Sequence, residues 1–232
     1  MSKKTIINRS AFTLAETLIT LGIIGIAAVI TLPLLINSIQ DKQFKSKYKK
    51  TVSNFSQALK MVYAKEGENI ELVRDFDDTN FNDMDYHICN IANEMQVLVQ
   101  SKGIEKCSIN NATKQEISWH EKDKWFNKKK ENQALNIGYT RKTIILNDGI
   151  MVNFNCNNNI YIDVNGYKKP NTIGRDIFFF RINRNNTSEI TLFGDTNGCT
   201  GTPYNTNLNE KNFKEDCING TGWGCSALYI LE

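Results

Sequence analysis

Residues 12–36 read FTLAETLITLGIIGIAAVITLPLLI, and no charged residue occurs from Thr17 to Gln40. At a helical rise of about 1.5 Å per residue, such a stretch can cross a hydrocarbon layer of about 30 Å. It also exceeds the roughly 7–15 apolar residues of an ordinary signal-peptide core. Residues 1–11, MSKKTIINRSA, are polar and basic and lead abruptly into it, which is the layout of a targeting segment. One residue does not fit a plain anchor. Glu16 sits inside the apolar run, where a carboxylate costs about 2.5–3.5 kcal/mol on insertion scales, so it needs a partner. If the chain were cut after Ala11, the new amino group of Phe12 would be a cation at the helix end, available to the Glu16 carboxylate of a neighbouring copy. Pro33 lacks an N–H and its ring clashes with the preceding turn, so a kink or a locally melted turn is expected there rather than a helix end.

The run from Ala11 to Ile36 resembles the N-terminus of type IV pilins and type II secretion pseudopilins. A basic leader precedes a small residue, then come Phe12 as the first mature residue, Thr13, Leu14, Glu16 as the fifth, and an uncharged helix with Gly25 and a late Pro33. The resemblance implies that a prepilin peptidase cuts between Ala11 and Phe12 and methylates the new N-terminus, although Ala11 stands where the family normally has Gly. It further implies a structural, non-enzymatic subunit that waits in a bacterial inner membrane with its N-terminus cytoplasmic and its head domain outside. An inner-membrane assembly platform would then build it, with copies of itself or related pilins, into a helical filament on the cell surface or in the periplasm. Phe12, Glu16 and Pro33 are the assembly residues. The expected organisation is a leader at 1–11, a transmembrane and filament-core helix at 12–36, an amphipathic continuation at 37–66, and a globular head at 67–232.

Beyond Asn37 the residues Phe44, Tyr48, Val52, Phe55, Leu59 and Val62 recur at spacings of three and four, which places them on one face of a continuing helix that ends near Gly67. Lys42, Lys45, Lys47, Lys49 and Lys50 occupy much of the remaining surface and read as a solvated face. They outnumber Lys3, Lys4 and Arg9 of the leader, so the positive-inside rule would place the head in the cytoplasm. Long domains translocate largely regardless of flanking charge, and the leader and cysteines both place it outside. Without those three leader residues, Lys+Arg falls from 28 to 25 and equals the 25 Asp+Glu, so bulk charge selects no partner.

In the head, a helix is expected over Asp85–Gln100. From Lys142 the pattern turns to strands: TIIL and IMVNF joined by Asn147-Asp148-Gly149 form a hairpin, followed by IYIDV, DIFFFRI, EITLF and the C-terminal ALYIL. A long helix against an antiparallel sheet is an α+β, pilin-like arrangement. The stretch from Asp163 to Phe178, of the form D-x-N-G, P-N-x-x-G, D-x-F, resembles a loop motif of pseudopilin-like proteins and favours that branch of the family. In related major pseudopilins a nearby loop holds calcium, which makes Asp163, Asn165 and Asp176 candidate ligands. The alternative is a turn whose Asp side chains cap backbone N–H groups.

Cys89, Cys107, Cys156, Cys199, Cys217 and Cys225 all follow the apolar segment, and none forms the C-x-x-C pair of a zinc or thioredoxin-like site. An even count without metal spacing favours disulfides and an oxidising compartment over buried thiols in a cytosolic protein. Six cysteines allow 15 pairings. The first expected pair is Cys217 with Cys225, bracketing a loop like that closed near the C-terminus of many pilins, and the second is Cys89 with Cys107. His87 and His120 sit in no metal, nucleophile or acid–base spacing and read as surface or capping residues, so nothing supports an enzyme. The rival to a structural subunit is a low-abundance tip pilin that binds DNA or a surface through its lysines.

Overall fold

Two periodicities in one uninterrupted helix organise the chain: an apolar sequence without a polar face, then an amphipathic one. The computed structural model describes residues 13–66, 81–105, 107–120, 125–131, 142–155, 158–183, 186, 188–193 and 208–232. Helix α1 runs from Leu14 to Glu66, so Pro33 does not end it; Gly67 lies outside the described residues. The chain divides into two compact units, Met1–Lys42 and Gln43–Glu232. In the first unit the large apolar side chains described are exposed, from Leu14 to Ile39.

In the second unit the helix buries Phe44, Tyr48, Thr51, Val52, Phe55, Ala58, Leu59 and Val62, the stripe expected from the spacing. It packs on a seven-stranded sheet of order β2-β1-β3-β4-β5-β6-β7. The strands are β1 (Val97–Ser101), β2 (Thr113–Gln115), β3 (Thr143–Leu146), β4 (Met151–Phe154), β5 (Asn159–Asp163), β6 (Ile177–Ile182) and β7 (Ile190–Thr191). Every pairing is antiparallel except β1 with β2, so the α+β class holds and the sheet is mixed. The β3–β4 hairpin turns through Asn147-Asp148-Gly149, with Gly149 at φ +80°, a conformation open to glycine at no steric cost.

Strand alternation sends neighbouring side chains to opposite faces, and here both faces are covered. Val152, Phe154, Ile160, Ile162, Phe178 and Phe180 join the α1 face, together with Ile88, Cys89, Ile91 and Ala92 of α2 (Phe81–Asn93). Tyr48 stacks on Phe178 with ring centroids 4.2 Å apart, and Phe55 meets Phe180 edge-on at 5.0 Å. Met151, Tyr161, Ile177 and Phe179 point the other way, into a second core with Trp119, Trp125, Trp223 and the helices α3 (Phe213–Asn219) and α4 (Cys225–Leu231).

Three sequence expectations need correction. The C-terminal ALYIL is helix α4, not a strand. A short apolar run has no decisive period, and β6 already pairs with β5 and β7, so this segment covers the sheet instead of extending it. The helix expected over Asp85–Gln100 ends at Asn93; a turn follows, with Glu94 N–H donating to Ile91 O, and Val97–Ser101 pairs with β3. The EITLF strand shrinks to Ile190–Thr191.

Candidate functional site

At the start of α1, the sequence Thr13-Leu14-Ala15-Glu16 closes a capping box. Thr13 N–H donates to Glu16 Oε2 at 2.8 Å, and Glu16 N–H donates to Thr13 Oγ1 at 3.2 Å. Each side chain thereby satisfies a backbone donor that the first turn leaves without an intrahelical partner. The T-x-x-E pattern was present in the sequence but was read there only for its charge. Ala11 and Phe12 lie outside the described residues. The helix is long and apolar enough to cross a membrane, with a mean hydropathy of 2.6 over its most apolar window.

Three of the five helix lysines are engaged by the second unit. Lys45 lies over the Tyr229 ring at 4.7 Å, Lys47 donates to Val164 O at 3.2 Å, and Lys50 pairs with Asp148 at 3.4 Å. Lys42 and Lys50 are exposed and the other three partly so; the face is solvated, while its lysines also reach α4, the chain after β5 and the β3–β4 turn.

The Asp163–Phe178 motif builds a buried junction. Asp163 Oδ1 accepts from Asn165 N–H at 2.9 Å, and Oδ2 shares a hydrogen bond of 2.6 Å with His120 Nε2. Asp176 accepts from Asn171 N–H at 2.8 Å and from Thr172 N–H at 2.6 Å. Burial pushes the Asp163 carboxyl up to about 7; the His120 hydrogen bond pulls it down, and the charge of nearby Asp176 adds to the rise. Burial also raises Asp176, against the pull of the Thr172 and Asn171 N–H groups. The motif ties together distant chain: Phe126 N–H donates to Asn171 O, Ile173 N–H to Phe126 O, and Tyr167 Oη to Ser118 O.

The structure does bring Asp163, Asn165 and Asp176 together, yet all four carboxylate oxygens already accept hydrogen bonds from protein N–H groups or from His120. Asn165 Oδ1 is a further buried acceptor there. Calcium takes six to eight oxygens, and among the described residues no group of three His, Cys, Asp or Glu could hold a metal. The set does not fit calcium and does fit capped turns. The histidines are also corrected. His87 and His120 are both buried, and His120 is a structural partner of Asp163 rather than a surface residue. A lone histidine beside Trp119 carried no sequence signal for that role.

Cys217 and Cys225 are joined, with Cα atoms 4.5 Å apart, and so are Cys89 and Cys107 at 6.4 Å. Cys156 and Cys199 lie outside the described residues. The first bond links α3 to α4; the second fastens α2 to the loop before β2. Compared with known proteins, the chain matches no family profile, no curated protein and no solved structure.

Proposed function

We propose that this chain is a structural subunit of a type IV pilus-like or type II secretion pseudopilus filament, cut after Ala11 by a prepilin peptidase. It then sits in the inner membrane with its head outside, and is built into the filament through its N-terminal helix. The observation that carries the reading is one helix with two surfaces. Its first part exposes an uncharged apolar sequence interrupted only by Glu16, and its second part is buried on a mixed sheet. A solvent-exposed apolar surface of that size calls for lipid or other helices. Head-to-tail contacts that do not close into a ring give an open helical assembly. The Asp163–Phe178 motif favours the pseudopilus branch.

The capping box sharpens the test of Glu16. Gln at the same position can still cap Thr13 N–H but carries no charge to meet the Phe12 amine of a neighbour. Glu16→Gln and Glu16→Ala are therefore both expected to reach the membrane fraction in wild-type amounts and to yield no sheared filaments. Filaments from Glu16→Gln at the wild-type level would show that Glu16 serves the helix cap alone and would remove the proposed charge pair. Intact-mass analysis of protein from its native membrane should find a chain beginning at N-methylated Phe12. A chain retaining residues 1–11 in the presence of an active prepilin peptidase would make the segment a static anchor.

A further inference from the structure

We propose that the groove between the second half of α1 and the two turns facing it, one before β1 and one after β3, binds an extended, uncharged peptide segment of a partner protein with an apolar side chain at its centre. The groove encloses about 510 Å³, a volume within the range of ligand sites. Asn54, Gln57 and Met61 line it from α1, and residues 94–96 and 146–148 line it from the turns. The turns are joined to each other, because Asn147 N–H donates to Gln96 O at 2.9 Å. Ala58 and Leu146 are buried at the floor, Met95 is half-buried, and Met61 is half exposed. Both walls are therefore fixed before any ligand arrives.

The polar groups on these walls select the ligand. Four carboxamides, those of Asn54, Gln57, Gln96 and Asn147, line this one concave surface, two from the helix and two from the turns. Among the described residues Gln57 meets Ser53 Oγ at 3.5 Å, and the side chains of the other three have no hydrogen-bond partner. A carboxamide both donates and accepts. A peptide main chain presents the same two needs in alternation along its length and carries no charge. From Lys50 to Met61 the helix rises about 16 Å at about 1.5 Å per residue, which matches about five extended residues.

Other ligand classes fit less well. Each charged side chain lining the groove is already paired, Lys50 with Asp148 at 3.4 Å and Glu94 with Lys65. These pairs run from α1 to the facing turns near the two ends of the groove, so a charged ligand finds no free counter-charge. No aromatic side chain among the described residues lines the groove, so a ring that binds by stacking finds no platform. Methionine is unbranched and adapts its shape, so Met61 and Met95 suit an apolar side chain without fixing which one.

The test uses the full chain in nanodiscs of neutral phosphatidylcholine, with isotope-labelled methionine methyl groups observed by NMR. The probes are acetylated, amidated pentapeptides Ser-Thr-X-Thr-Ser, with X as Leu, Met, Val, Asp or Lys, added up to about 5 mM. The Met61 and Met95 signals should move and saturate when X is Leu, Met or Val. Met151, buried in the core on the other face of the sheet, should stay in place. With Asp or Lys at X the affinity should fall at least about tenfold, since an unpaired charge would be desolvated. Asn54→Ala combined with Asn147→Ala should weaken the Leu peptide at least about fivefold, through lost hydrogen bonds, with the Met151 signal reporting that the variant is folded. Methylating the two Thr main-chain nitrogens of the peptide keeps its apolar centre but removes those donors, and should abolish the shifts. The proposal is overturned if no apolar-centred peptide gives saturable shifts, or if the N-methylated peptide or the double variant binds as tightly as the original pair. The same shifts on raising the protein concentration without peptide would assign the groove to a second copy and also overturn it. None of these outcomes depends on whether the leader is cut or the chain assembles.

Discussion

Asp163 is fully buried with His120 as its side-chain partner, and its carboxyl titrates near 7 instead of in the usual range near 4. Between those values the folded state holds a proton that the unfolded chain has released, so stability falls as pH rises from about 4 to about 7 and levels off above. Asp176, raised by the same burial, contributes with the same sign. Chemical denaturation of the wild type at pH 5 and pH 8 should show the lower midpoint at pH 8, and Asp163→Asn should flatten that difference. An equal pH slope in the variant would place the titrating group elsewhere. Gly174 is a second single-residue constraint. It has φ +77°, and an added Cβ would lie 2.5 Å from Gly222 O and 2.8 Å from Cys225 Sγ. The backbone conformation alone costs a non-glycine residue about 1–3 kcal/mol, so Gly174→Ala should lower the Tm measurably, with overlap adding to the loss. At this scale the sequence was legible where a residue's chemistry is local. The turn-capping alternative for the Asp pair needed only near neighbours, and the pairing of Cys217 with Cys225 came from the resemblance of the short loop that they bracket. The His120–Asp163 bond joins residues 43 positions apart, and no local pattern encodes it.

Among the elements, α1 was the most legible because its burial follows a period of 3.6 and every residue of the expected stripe is buried. The β3–β4 hairpin was legible for its turn residues. The elements that sequence reading mistook are short: α2 gives way to β1 within a few residues, and α4 spells an apolar run that also suits a strand. What holds α3 and α4 in place is the covalent bond between them together with Asp216, which accepts from Thr221 N–H at 2.9 Å and Gly224 N–H at 2.8 Å. Cross-linking residues eight positions apart restricts the unfolded chain by about 2–3 kcal/mol in the chain-entropy view. Changing both Cys217 and Cys225 to Ser should therefore lower stability by about that amount in a denaturant titration. A loss below about 0.5 kcal/mol would show that the Asp216 bonds hold the helices unaided.

For the whole molecule, the division at Lys42 and Gln43 makes a direct prediction. Among the described residues, every buried apolar one lies at Phe44 or beyond, so a chain beginning at Gln43 should fold cooperatively in aqueous buffer and keep its near-ultraviolet circular dichroism. Aggregation of that fragment with no cooperative transition would mean that the first unit is needed to complete the fold. The two-faced sheet also assigns spectroscopic reporters. All three tryptophans of the chain lie in the core on the face away from α1, and the α1 core contains none. Intrinsic indole emission thus reports one side of this protein and is silent about the other. A probe that peels α1 from the sheet would leave the emission spectrum unmoved, while a reductant that opens Cys217–Cys225 would shift it, and the two layers can be timed separately in one unlabelled sample.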